Sequence, residues 1–241
     1  MSRSPQRWSR SSIATGFIAL ALVASGAPAA TSRVFVTSTT HTGDLKTEGA
    51  ALCGGTCADG LAGGDAICNK RASDASLGGT WVAWLSTSSV DAKDRLPTGP
   101  GPGKYVRATG SMAVIADDDM DLLDFLPLDS PILLTETGAT ISPPRTWTGT
   151  FPDGSLWNAS FACGAWADAA GFGLVGFSLS SASWTFDTSV LCSALSRLYC
   201  FEVPDLGPPA AVPAVAPGGL ALMLLLSLAG LAFLYRRQSP A

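Results

Sequence analysis

The sequence predicts an α+β fold of short strands, one early helix, long loops and disulfides, with a hydrophobic helix appended at the C-terminus. Three observations carry this. β-branched and aromatic residues come in short runs broken by Gly, Pro and Asp. Helical spacing is found in one early stretch only. The 6 cysteines, an even set, all lie between two apolar ends, where disulfides are the default state of an exported chain.

The ends set the address. Arg3, Arg7 and Arg10 precede an apolar run from Ile13 to Val23, and Ala27-Pro28-Ala29 supplies the small residues of a signal peptidase site, so residues 1–29 are expected to be removed. At the other end, Pro204, Pro208, Pro209, Pro213 and Pro217 make a stiff spacer over 204–217. Residues 218–237 follow as a transmembrane or sorting helix, uncharged from Gly218 to Tyr235 and stopped by Arg236-Arg237. Leu220 to Tyr235 reaches only about 24 Å at 1.5 Å per residue, and drawing in residues back to Val212 makes a span feasible. Terminal arginines stay in the cytoplasm, which places residues 33–203 outside it, anchored at the membrane or released.

Within the domain, Arg33 to Thr40 reads as the first strand. Asp59 is an N-cap, and Cys68, Ala72 and Ala75 fall on one face of a helix ended by Gly78-Gly79. Thr80 to Ser86 sets Trp81, Ala83 and Leu85 against Val82 and Trp84, a strand covered on both faces. Ser89 is expected to cap a short helix through Asp91 to Leu96, and 97–103 to be a loop. Tyr105 to Arg107 is a strand. Gly110 to Pro144 is irregular and acidic, with room for one helical turn. Thr146 to Thr150, Gly173 to Leu179 and Leu198 to Glu202 complete the strands.

Five of the 15 basic residues lie in the ends, so the middle holds 10 against 19 acids. Such a surface repels phosphate backbones and argues against nucleic acid as a partner.

Several stretches together resemble a bacterial family of secreted domains, DUF1554, grouped with C-type-lectin-like and endostatin-like folds. They are Gly60 to Cys68, Trp84-Leu85-Ser86, Asp94-Arg95-Leu96, Tyr105-Val106-Arg107, Thr135 to Gly138, Trp147 to Thr150 and Arg197 to Glu202. The resemblance implies a C-type-lectin-like domain paired Cys68–Cys200 and Cys163–Cys192, with Cys53–Cys57 as a local bridge. A zinc site from Cys53, Cys57, Cys68 and His41 is the alternative use of three of these cysteines. The tail, through Val212-Pro213-Ala214, Pro217-Gly218-Gly219-Leu220 and Arg236-Arg237, is similar to IPTL-CTERM and PEP-CTERM sorting signals, which implies a sorting protease as a partner. The Glu-Pro-Asn and Trp-Asn-Asp motifs of calcium-dependent lectins are missing, since Ala159 follows Trp157-Asn158.

Candidate site residues follow from composition. Trp157, Asn158 and Trp166 are candidates for a ligand platform, because aromatic faces bind sugars and proteins. Trp147 and Trp184 are assigned to the core. Asp117, Asp119 and Asp121, within a run reaching Asp129, read either as a solvated acidic loop or as a calcium site, the one cofactor candidate. Gly171 to Gly176 matches a dinucleotide fingerprint in letters but lacks its βαβ setting, so these are read as loop glycines. His41 is the only histidine and stands apart from any nucleophile motif. Glu136 is expected to accept backbone hydrogen bonds at a tight turn. The function expected is therefore a non-enzymatic surface or secreted binding domain for a glycan or protein. A structural envelope or matrix component and a secreted hydrolase are the alternatives.

Overall fold

The computed structural model describes residues 30–96 and 102–203. The expected signal, residues 97–101 of the expected loop, and the expected Pro-rich spacer and C-terminal helix lie outside them. The strands are β1 (Ala30–Val36), β2 (Thr80–Ala83), β3 (Pro102–Arg107), β4 (Val114–Ala116), β5 (Arg145–Trp147), β6 (Phe172–Phe177), β7 (Thr188–Leu191) and β8 (Arg197–Val203). They form one mixed sheet in the order β4-β3-β1-β8-β5-β6-β7, with β2 also on β8. The last strand is the hub: β8 runs antiparallel to β1 and β2 and parallel to β5.

Alternation in the central strands explains why the chain needs two cores. Phe35 of β1, Trp81 and Ala83 of β2, and Leu198 and Cys200 of β8 enter one apolar cluster. Val34, Val36, Tyr199 and Phe201, on the other side of the same strands, enter a second. The first is covered by helix α2 (Gly60–Asp74), which contributes Leu61, Ile67, Cys68 and Ala72. The second is covered by the loops that carry Trp84, Leu122, Ile132 and Trp184. The expected double-sided strand is therefore borne out, with Trp81, Ala83 and Leu85 facing the helix and Trp84 facing the loops.

Helix α2 begins where Asp59 was expected to cap it: the carboxylate accepts from Ala62 N at 2.7 Å. It ends at Asp74, before Gly78-Gly79. Asp65 on this helix accepts two hydrogen bonds from Arg95, at 2.5 and 2.6 Å, and one from Ala83 N at 2.8 Å. That fork pins helix, strand and the following loop together.

Some local expectations are corrected. β1 stops at Val36: Thr37 N still donates to Leu198 O, but Leu198 N turns to the Thr37 hydroxyl at 3.0 Å and the Arg197 guanidinium takes Thr37 O at 2.8 Å. No α-helix follows Ser89. Its hydroxyl bonds Thr87, and a single 3-10 turn spans Lys93–Arg95. The acidic stretch holds strand β4 and one helical turn, α3 (Asp119–Leu122). A further turn, α1 (Leu45–Glu48), and the edge strand β7 carry no sequence signal. One is four residues long and the other largely exposed.

All six cysteines pair as the resemblance implied, Cys53–Cys57, Cys68–Cys200 and Cys163–Cys192, and none is free. The zinc alternative is excluded, because Cys53, Cys57 and Cys68 have no thiolate to offer. Cross-linked cysteines are characteristic of oxidising, extracytoplasmic compartments. Among the described residues no helix is long and apolar enough to cross a membrane.

Candidate functional site

Burial sorts the tryptophans. Trp81, Trp84, Trp147, Trp166 and Trp184 are all at most 2% exposed, whereas Trp157 stays half-buried at the surface. The core assignment of Trp147 and Trp184 holds. Trp147 donates its indole N–H to His41 O at 2.9 Å, and Trp184 packs on Trp84. Trp166 is a correction. Its indole N–H donates to Ser86 O at 2.9 Å and its ring packs 5.9 Å from Trp147, so it has no face left for a ligand. The small and polar neighbours that suggested exposure belong to an exposed backbone turn whose one large side chain points inward.

Around Trp157 the surface is aromatic. Its ring lies 4.5 Å from Phe161 and 5.4 Å from Phe186 between centroids. Phe186 stacks on Phe151 at 5.1 Å with an interplanar angle of 16°, and Phe172 lies 6.4 Å beyond Phe161. Phe172 is 49% exposed and the other four are half-buried. On β7, Leu191 pairs directly with Phe172 and is also exposed, which extends the apolar surface. The result is a ledge of five rings drawn from four segments of chain. Asn158 sits beside it, exposed, but its side-chain oxygen is engaged with Ser160 N at 2.9 Å.

The chain that joins two of the ledge rings is unusual. Cys163, Gly164, Ala165 and Trp166 form four consecutive left-handed residues, with φ of 45°, 58°, 60° and 64°. Three of them carry a Cβ, and each such residue costs about 1–2 kcal/mol. This turn lies between Phe161 and Phe172, two of the ledge rings. It is held by the Cys163–Cys192 bridge, by buried Trp166, and by α2, whose Gly60 lies so close that a Cβ there would stand 2.3 Å from Trp166 O.

The letter-perfect Gly171 to Gly176 segment is mostly strand β6, in line with the strand expected from Gly173 and against the reading of its glycines as loop glycines, and it pairs antiparallel with β5 and β7. Its glycines serve packing. A Cβ at Gly176 would stand 1.7 Å from Trp184 O. Antiparallel neighbours on both sides rule out a dinucleotide fold.

The aspartates are spread over separate tasks. Asp118 caps α3 by accepting from Asp121 N, Asp121 accepts from Asp117 N at 2.6 Å, and Asp119 accepts from the Tyr105 hydroxyl. Burial, with the Asp119 carboxylate adding to it, pushes the Tyr105 phenol well above its ordinary pKa. Among the described residues no three acidic, histidine or cysteine side chains converge on one point. Glu136 is buried and accepts from Ser38 N at 2.9 Å and from the Ser38 hydroxyl, so it grips the end of β1 from its tight turn.

Comparison with known protein families and with curated proteins finds no match to this chain.

Proposed function

We propose that this chain is an exported binding domain of the C-type-lectin-like kind, a member of the DUF1554 group, that engages a glycan or protein ligand through the ledge around Trp157. One observation carries the reading: the ledge presents partly exposed aromatic rings, two of them joined by a turn whose backbone is strained and cross-linked. Strained, over-determined backbone gathers at functional sites. A rigid platform loses little entropy on binding, which favours affinity. The apolar faces of pyranose rings and the side chains of a protein partner both suit stacked and tilted aromatic rings. The signal at 1–29 and the tail at 218–237 support a location outside the cytoplasm, with the domain tethered to the membrane or passed on by a sorting protease.

The reading assigns no role to calcium at the ledge. It is tested by glycan-array and surface pull-down binding with the secreted domain. Trp157→Ala and Phe161→Ala should each weaken binding by about 30-fold or more, the scale of a hot-spot residue. Chelator should leave binding unchanged. Equal binding by wild type and the Trp157→Ala variant overturns the assignment.

A further inference from the structure

The loop after β1 carries a second arrangement that shares no residue with the ledge. Thr39 Oγ1 lies 2.8 Å from His41 Nε2, and His41 Nδ1 lies 2.6 Å from Glu48 Oε2. A carboxylate only accepts, so the neutral imidazole carries its proton on Nδ1 and turns the Nε2 lone pair toward the Thr39 hydroxyl. Glu48 is clamped on its other oxygen by Thr42 N at 2.7 Å and Thr42 Oγ1 at 2.6 Å. Burial by itself would raise the Glu48 pKa, but the hydrogen bonds from His41 and Thr42 outweigh it and hold the group below the ordinary glutamate value. It is therefore ionised at neutral pH.

The histidine is fixed from both sides. His41 N donates to Ser196 O at 2.7 Å, Ser196 N donates back to His41 O at 2.9 Å, and the His41 side chain is only 14% exposed. A cleft of about 240 Å³ opens over the three side chains. Ala51, Leu52 and Ile67 give it an apolar wall, and Lys70 and Arg71 stand at its rim. Those two cations share the single carboxylate of Asp74, which leaves one positive charge in excess at the rim, while the ionised Glu48 of the same cleft is turned to His41 and Thr42.

We propose that Thr39, His41 and Glu48 form a nucleophile, base and orienting carboxylate that hydrolyse small esters whose acyl chain ends in an anionic group. Thr39 Oγ attacks the carbonyl carbon while its proton passes to His41 Nε2. The bond to the alcohol oxygen then breaks, and the departing alkoxide takes that proton. Water attacks the acyl-threonine next and gives a proton to Nε2. Thr39 Oγ leaves, recovers the proton, and the free acid departs. The apolar wall receives the acyl chain, and the rim receives its terminal charge. The geometry is the one shared by hydroxyl–histidine–carboxylate relays on unrelated folds, recognised by roles and not by sequence order.

The test uses the full chain with a fluorophosphonate probe, followed by peptide mass spectrometry, and with two 4-nitrophenyl esters of equal length, one neutral and one ending in a carboxylate. The expected result is an adduct on Thr39 and faster turnover of the carboxylate ester. His41→Gln should lower both rates by about 100-fold, the scale of a general base. Glu48→Gln should slow labelling and Glu48→Asp restore it, which a merely structural role would not produce. Thr39→Ser keeps the hydroxyl and must keep labelling, whereas Thr39→Val keeps the shape and must lose it. Those two variants hold the test open if His41→Gln fails to fold. No adduct on Thr39, an adduct on another hydroxyl instead, or an unchanged rate in folded His41→Gln overturns the proposal. Preference for the neutral ester overturns the substrate class.

Discussion

Removing the three disulfides one at a time should reveal how this loop-rich chain divides its stability. Each pair is replaced by two alanines. In the chain-entropy treatment a bridge stabilises by restricting the unfolded ensemble, and the effect grows with the loop it closes. The closed loops span 132 residues for Cys68–Cys200, 29 for Cys163–Cys192 and 4 for Cys53–Cys57. The corresponding losses are about 5, about 3.5 and about 2 kcal/mol at 25 °C. Cys68 and Cys200 are both fully buried and sit in the cluster under α2, so deleting their sulfurs also leaves a cavity, at about 1 kcal/mol or more. The Cys68→Ala/Cys200→Ala variant should therefore lose about 6 kcal/mol, which consumes much of a typical domain's 5–15 kcal/mol.

The assay is urea unfolding followed by the fluorescence of the buried tryptophans. Besides a lower midpoint, the dependence on urea should steepen, because the freed unfolded chain exposes more surface. A loss for Cys53–Cys57 equal to that for Cys68–Cys200 would refute the reasoning, since loop length would then not govern the cost.

Three further outcomes follow from single sites. Gly176→Ala places a Cβ 1.7 Å from the Trp184 carbonyl, backbone that has no rotamer to yield, so it should cost at least about 3 kcal/mol in the same urea assay. Trp166→Ala should lose about 3–5 kcal/mol, whereas Trp157→Ala at the surface should lose under about 1 kcal/mol, a contrast readable in melting temperature. Because the Glu48 pKa is depressed on folding, its contribution is present above the unfolded value of about 4.3 and is lost as pH falls through the folded value. Stability measured from pH 6 to pH 3 should thus decline less steeply in Glu48→Gln than in wild type.

What was legible in the sequence was whatever rests on strong local signals. Asp59 before a glycine-tolerant helix, the alternation from Trp81 to Leu85, and the run from Arg197 to Glu202 each carry their structure in a few adjacent residues. The disulfide pairing came from a resemblance, because spacing cannot choose among fifteen pairings of six cysteines. The ledge was half legible. Trp157 stood out, but Phe151, Phe161, Phe172 and Phe186 are brought to it by loops whose closure no local pattern encodes. Trp166 misled for the same reason: its four-residue left-handed turn reverses which side of the chain faces the core. The Thr39–His41–Glu48 arrangement escaped because Glu48 reaches the histidine only through α1, too short a helix to announce itself.

The left-handed turn is also where the energetics and the surface meet. Its three non-glycine residues cost about 3–6 kcal/mol together. The bridge from Cys163 to Cys192 returns about 3.5 kcal/mol. Burying Trp166 against Trp147, with its indole N–H satisfied by Ser86 O, contributes about 2–3 kcal/mol more. These terms balance within a few kcal/mol, so the turn is held by its neighbours and not by its own preference. A chain selected only for stability has cheaper ways to join Phe161 to Phe172, such as a right-handed turn ending in glycine. The route it takes instead drives one tryptophan inward as an anchor and leaves Phe161 and Phe172 flanking it at the surface. Strain of that size, offset by a covalent bridge between the half-buried Phe161 and the exposed Phe172, is what the proposed binding platform would use to hold its rings in place.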